Sequence, residues 1–144
     1  MILMTGGTGF VGSGVAERLV SDSLHGLRVV VRKPETLLAP GVERVVVSDI
    51  APNVNWSNGL QDVDVVIHVA ARVHVMAEAS DNPLDEFRRV NTAGTLNLAR
   101  QAAGTRARRF IFVSSIKVNG EATTLGTSFS ADDIPAPLDP YGVS

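Results

Sequence analysis

Thr5-Gly6-Gly7-Thr8-Gly9-Phe10-Val11-Gly12 decides the fold, because it satisfies two glycine patterns at once. Gly7, Gly9 and Gly12 give GxGxxG, and Gly6, Gly9 and Gly12 give GxxGxxG. The apolar run Ile2-Leu3-Met4 before it reads as a strand. Phe10 to Val20 after it reads as a helix, with Val11, Val15 and Leu19 recurring on one face. Strand, glycine turn and helix form the context in which such glycines bind a dinucleotide. The first glycine permits a tight turn, the middle one has no Cβ to block a pyrophosphate, and the last lets helix and strand pack closely. The helix start then offers free N–H groups and a partial positive charge to phosphate. A glycine turn without a ligand is the competing reading, and the flanking strand and helix stand against it.

Outward from that loop, short β-branched runs alternate with helical stretches. Strands are predicted at Leu27 to Val31, Val42 to Val47, Asp64 to Val69 and Arg109 to Val113. The apolar character of Leu27 to Val31 fits a strand buried on both faces. Pro34 to Leu38 reads as a helical turn, and Trp56 as a packing residue in a short connecting helix. A long helix is predicted to start at Asp81-Asn82-Pro83, run to about Ala103 and end at Gly104. Asn119 to Pro140 reads as irregular loop. The whole predicts an α/β doubly wound parallel sheet, a Rossmann fold. Pro140-Tyr141-Gly142-Val143-Ser144 reads as the beginning of a further element. The expectation is therefore an incomplete dinucleotide-binding domain over residues 1–144, truncated after the fifth strand, with a C-terminal substrate-binding part absent.

Composition narrows the function classes. The 144 residues carry 13 Lys and Arg against 15 Asp and Glu, a net charge of −2, which lacks the basic excess of a nucleic-acid binder. No apolar run approaches the ~20 residues of a membrane helix, and the N-terminus lacks the basic start of a signal peptide. Cysteine is absent, so disulfides, zinc-thiolate sites, iron–sulfur clusters and thiol nucleophiles are excluded. A cytoplasmic setting and no metal site are the expectations.

The end of the second predicted strand bears on the cofactor. An acid there would bind the ribose 2′-hydroxyl of NAD. Arg32 and Lys33 stand there instead, and a guanidinium suits a 2′-phosphate. This favours NADP(H) over NAD(H), the alternative being an Arg32 that stacks on adenine. Asp49, after the third strand, is open between accepting from the adenine amino group and capping a turn.

These residues, with Val66-Ile67-His68-Val69-Ala70-Ala71, Asn91-Thr92-Ala93-Gly94-Thr95, Phe112-Val113-Ser114-Ser115 and Pro140-Tyr141-Gly142-Val143-Ser144, occur in an order that resembles the extended short-chain dehydrogenase/reductase family, in its nucleotide-sugar epimerase/dehydratase branch. The resemblance covers essentially the whole chain. It implies cofactor contacts at Gly6, Thr8, Gly9, Phe10, Val11 and Gly12, at Arg32, Asp49 and Ile50, and at Ala70, Ala71 and Val113. It implies that Asn91 braces the active-site loop, that Ser115 is the catalytic serine and that Tyr141 is the catalytic tyrosine. Hydride transfer at a carbinol needs a base for the hydroxyl proton. A tyrosine ionises ordinarily near pH 10, so such a base works beside a cation. The family supplies a lysine four residues after the tyrosine. That position lies beyond Ser144, and the lysines present are Lys33 and Lys117. The expectation is that this chain by itself binds cofactor weakly and turns nothing over.

Ile116 and Lys117 occupy the place where the dehydratases of the branch resemble one another in an Asp-Glu pair. Elimination then has no acid–base pair, which leaves 4-epimerases and 4-ketoreductases; the resemblance implies UDP-hexose enzymes of surface-polysaccharide synthesis without deciding between the two. Arg72, His74 and Lys117 are candidate substrate contacts, Lys117 reading more simply as a solvent-facing lysine. His68 reads as a satisfied core histidine. The competing functions are an NADPH-dependent reductase of small ketones and a non-catalytic NADP sensor. Family members dimerise by pairing the long helix with the helix after the tyrosine, so a homodimer is the expected assembly and self-association is expected of this chain.

Overall fold

A computed structural model describes residues 1–22, 24–73 and 82–144. Five strands form one sheet: β1 (Ile2–Thr5), β2 (Leu27–Val31), β3 (Glu43–Val46), β4 (Val65–His68) and β5 (Arg109–Phe112). Their order is β3-β2-β1-β4-β5, and every pairing is parallel. The chain thus starts in the middle of the sheet, builds outward to one side, and returns to build the other. This is the doubly wound arrangement. Its switch point lies between β1 and β4, where ligands of such sheets bind.

The central strands β1 and β2 read as apolar runs because they are covered on both faces. Ile2, Met4, Leu27, Val29 and Val31 face α1 (Phe10–Asp22), packing on its Val15, Ala16, Leu19 and Val20. Leu3, Val30 and Val66 face the other way, onto Trp56, Leu60, Val63, Leu98 and Ala102. Arg28 interrupts β2, and its guanidinium pairs with Glu43 at 2.6 Å and donates to the carbonyls of Gly59 and Gln61. Val11 belongs to the predicted apolar stripe of α1 but is 55% exposed, because the helix start stands clear of the sheet.

Two predicted helices are absent. Pro34 and Glu35 form a turn closed by the Thr36 N–H donating to the Lys33 carbonyl. Trp56 sits among turns rather than in a helix, yet it is 1% exposed and belongs to the core as expected. The predicted long helix is continuous but not uniform. It comprises α2 (Pro83–Phe87), a π-helical stretch (Arg88–Gly94) and α3 (Thr95–Ala103). The wide turn coincides with Gly94, where a Cβ would come within 3.0 Å of the Ile50 carbonyl. Past β5 lie a 3₁₀ turn (Ile116–Val118), an irregular stretch and α4 (Pro140–Val143). No helix among the described residues is long and apolar enough to cross a membrane.

Candidate functional site

Because all five strands are parallel, the segments that follow them emerge along one edge. The glycine turn follows β1, Arg32 follows β2, Asp49 and Ile50 come after β3, Ala70 and Ala71 follow β4, and Val113 to Ser115 follow β5. The sheet thereby gathers the sequence-predicted cofactor residues on one side.

The glycine turn is dictated by volume. Gly6 has φ +72°, and a Cβ on it would stand 2.6 Å from the Ala70 nitrogen. A Cβ on Gly12 would stand 2.0 Å from the Gly6 carbonyl oxygen. Gly6 and Gly12 are therefore the glycines on which backbone forbids a side chain, whereas a Cβ on Gly9 would make ordinary contact at 3.4 Å. Gly9 donates to the Gly6 carbonyl at 3.0 Å, and Ser13 makes the first intrahelical bond, to Gly9, at 2.8 Å. The N–H groups of Phe10, Val11 and Gly12 precede that bond and remain for an anion. Thr8 and Phe10 are exposed beside them, Phe10 fully. These residues fit a dinucleotide pyrophosphate: open N–H groups, a glycine-rich turn, and no acid in the first turn of α1.

Arg32 is exposed at the end of β2. Asp49 is engaged within the protein: one oxygen pairs with Arg89 at 2.8 Å and the other accepts its neighbour Ile50's N–H at 2.8 Å. That is the turn-capping arrangement joined to an ion pair.

A cleft of about 180 Å³ opens between the ends of β4 and β5 and α4. Ser115 and Tyr141 both line it, with Ala70, Ala71, Asn91 and Thr95. Among the described residues, none of its lining side chains is charged. Asn91, in the π-helical stretch, accepts from the Arg72 N–H at 2.8 Å and donates to the Arg72 carbonyl at 3.0 Å. The same amide donates to Ser144 Oγ at 2.9 Å. Asn91 thus braces the Ala70–Arg72 turn and ties α4 to the long helix. Tyr141 lies against Phe87, with ring centroids 6.4 Å apart, and the Arg72 guanidinium lies 5.6 Å from the Phe87 ring centre.

Lys117 does not extend freely toward a ligand. It pairs with Glu121 and, at 3.1 Å, with Asp139. Hydrogen bonds to Glu121 and then Asp139 raise its pKa. Asp139 caps α4 by accepting from the Gly142 N–H at 2.5 Å. That bond first, and Lys117 second, hold its carboxyl below the usual carboxylate range. Lys117 therefore straps the Ser115 turn to the helix that bears Tyr141. Asp139 and Phe87 escaped the sequence reading; each acts through partners distant in the chain. His74 lies outside the described residues.

His68 is a core residue, 1% exposed, with Nδ1 2.7 Å from Thr5 Oγ1 and Nε2 2.8 Å from Thr95 Oγ1. Burial lowers its pKa from 6.5 to about 4.

Comparison with known proteins agrees with this geometry. The family described as "NAD dependent epimerase/dehydratase family" matches residues 2–144. A UDP-glucose 4-epimerase of Vibrio cholerae is 44% identical over 147 residues, covering 99% of this chain and 43% of that protein. A 3 beta-hydroxysteroid dehydrogenase/Delta 5-->4-isomerase of Mycobacterium tuberculosis is 33% identical over 121 residues, covering 81% of this chain and 32% of that one. The solved structure of the UDP-glucuronic acid 4-epimerase from Bacillus cereus, in complex with UDP-glucuronic acid and NAD, superposes with a TM-score of 0.80 at 30% identity, covering 99% of this chain and 48% of that one. The chain spans less than half the length of each of these proteins.

Proposed function

Because the chain belongs to the NAD dependent epimerase/dehydratase family, we propose that the protein bearing it is a nucleotide-sugar 4-epimerase acting at C4 of a UDP-hexose, in surface-polysaccharide synthesis. The observation that carries this reading is that Ser115 and Tyr141 line one uncharged cleft at the strand edge where the glycine turn also lies. An uncharged cleft suits a sugar ring and a nicotinamide ribose, and the open N–H groups of α1 suit the phosphates.

Gly6, Gly9, Gly12 and the first turn of α1 hold the pyrophosphate of a dinucleotide in this reading, and Ala70, Ala71 and Val113 flank its nicotinamide half. A bound nicotinamide supplies the acceptor and later donor of a hydride. Tyr141 takes the proton from the C4 hydroxyl, and Ser115 donates a hydrogen bond to that oxygen as it becomes a carbonyl. Asn91 and the Lys117–Asp139 strap fix the two walls that present them. Ile116 and Lys117 follow Ser115 without an acid pair, which favours epimerisation over elimination. Leu96, 45% exposed on α3, is an apolar residue that a second copy would cover in a homodimer.

A second reading rests on Arg32. Its exposed guanidinium at the end of β2 suits a 2′-phosphate, which favours NADP(H) and a 4-ketoreductase, or a reductase of small ketones of the kind the steroid-dehydrogenase relative's name describes. Calorimetric titration with NADH and NADPH at equal concentrations separates the two. NADH preference supports the epimerase, and NADPH preference moves the assignment to a reductase. In the protein bearing this chain, Tyr141→Phe is expected to lower turnover of UDP-glucose about 10²- to 10⁴-fold. Unchanged turnover would overturn the role given to Tyr141.

A further inference from the structure

Directly behind the cleft wall stands a buried imidazole that the proposed reaction does not use. His68 and Thr5 are the two buried polar side chains of the core among the described residues. The Thr5 hydroxyl oxygen already accepts from the Ala70 N–H at 3.2 Å. Its hydrogen has one acceptor within reach, Nδ1 of His68 at 2.7 Å. A proton on Nδ1 would leave that hydroxyl a buried donor without an acceptor, which folded proteins avoid. The proton of His68 therefore sits on Nε2, and Nε2–H donates to Thr95 Oγ1 at 2.8 Å.

This fixes the direction of the next bond. Thr95 Oγ1 receives a hydrogen from His68 and must place its own elsewhere. A helical threonine ordinarily donates back to the carbonyl one turn earlier. Thr95 follows the π-helical stretch, and its hydroxyl makes no such bond; His68 is its partner among the described residues. Its other side is the cleft it lines with Ser115 and Tyr141.

We propose that Thr95 is a further binding residue of the cleft, donating its hydroxyl hydrogen to the bound molecule, and that His68 is the positioning residue that sets it as a donor. The acceptor is an oxygen of the bound molecule. It belongs to the dinucleotide or to the sugar. The inference rests on the functional reading above. It adds a one-way hydrogen-bond chain that starts at the Ala70 turn, passes through the strand before the glycine turn, and ends in the cleft.

Two measurements test it. Nitrogen NMR of the histidine-labelled chain is expected to show His68 as the Nε2–H tautomer; the Nδ1–H tautomer overturns the proposal. Saturation with NAD⁺ or, on the NAD⁺-loaded protein, with UDP-glucose is expected to move the His68 Nε2 resonance, because Thr95 Oγ1 accepts more strongly once its own hydrogen is donated. This readout needs no variant. Calorimetry then compares wild type, Thr95→Val and Thr95→Ser. Valine is expected to weaken one ligand about three- to tenfold, with serine restoring it. Loss in the NAD⁺ titration assigns the acceptor to the dinucleotide, and loss confined to UDP-glucose assigns it to the sugar. Wild-type affinity of Thr95→Val for both, or an unmoved resonance with both bound, overturns the proposal alone. A whole protein bearing this chain that binds neither overturns the functional reading and this inference with it.

Discussion

β1 and β5 belong to the same parallel sheet, separated by β4 alone, yet their surroundings are opposite. Every residue of β1 is buried. In β5, Phe110 is half-buried and its neighbours are exposed, with Phe112 at 54%. The turns that follow them differ in the same sense. The glycine turn after β1 is fixed by what cannot fit: a Cβ at Gly6 or Gly12 collides with backbone. The wall after β5 is fixed by what pairs, namely Lys117 with Asp139, Asp139 with Gly142, and Asn91 with Ser144. The phosphate side of the site is specified by volume and the reactive side by polar straps. Substitutions should therefore act through unfolding on one side and through local geometry on the other.

The largest expected effect is Gly12→Val, at least about 3 kcal/mol of stability lost in urea unfolding or no folded protein at all. Gly14→Ala lies two positions along the same helix, where a Cβ would meet nothing within 4 Å. It is expected to stabilise by about 0.5–1 kcal/mol. Equal effects at the two positions would break the steric account. Next comes a pair of apolar truncations. Leu98→Ala, at a side chain with 0% exposure, is expected to lose about 2–5 kcal/mol. Ile111→Ala on β5, at 45% exposure, is expected to lose about 1 kcal/mol or less. An Ile111→Ala loss as large as that at Leu98 would show β5 to be as enclosed as β1.

His68 lies on β4, between the two regions, and sharpens the comparison through pH. The side chains against its ring, Thr5, Thr95, Phe110 and Phe112, carry no charge. Its pKa falls from 6.5 to about 4 on folding, so between those values the unfolded chain binds the extra proton. The contribution is fully present above pH 6.5 and is lost as pH falls toward 4, about 3 kcal/mol in all. Urea midpoints measured across that window should fall, and His68→Gln should flatten the fall.

The smallest effect on stability is expected from Lys117→Met, because exposed ion pairs contribute little. Its signature is local: the Gly142 amide resonance should move, since the Asp139 carboxylate whose Oδ1 it meets loses the cation on its Oδ2. In wild type the same resonance should hold steady on acidification through the ordinary carboxylate range and change below it, where the depressed Asp139 finally takes a proton and releases the cap. A Gly142 amide indifferent to Lys117 would mean that the strap does not govern α4.

The legibility of the sequence divides along the same line. The glycine turn and the strands were readable because each is a local pattern: spaced glycines, unbroken apolar runs, an Asn-Pro helix start. Trp56 was legible as core though its local structure was not, since burial depends on a side chain's size and turns depend on its neighbours. The π-helical stretch was invisible because Phe87, Val90, Leu98 and Ala102 keep an apolar rhythm through it while the widening answers to Ile50, far away in sequence. The straps were invisible for the same reason. Asp49 meets Arg89 across 40 residues, and His68 meets Thr95 across 27. No spacing rule announces such pairs.

The order β3-β2-β1-β4-β5 also sets a timetable. The strand made first is central and cannot be completed on its β4 side until Val65 joins Ile2. At a synthesis rate of roughly 5–20 residues per second, β1 spends on the order of 3–12 seconds after leaving the ribosome with one hydrogen-bonding edge unpaired. β2 closes the other edge earlier, through Leu27 beside Ile2. The yield of a nascent chain with this topology should therefore respond to translation speed between residues 27 and 65 more than to any other interval.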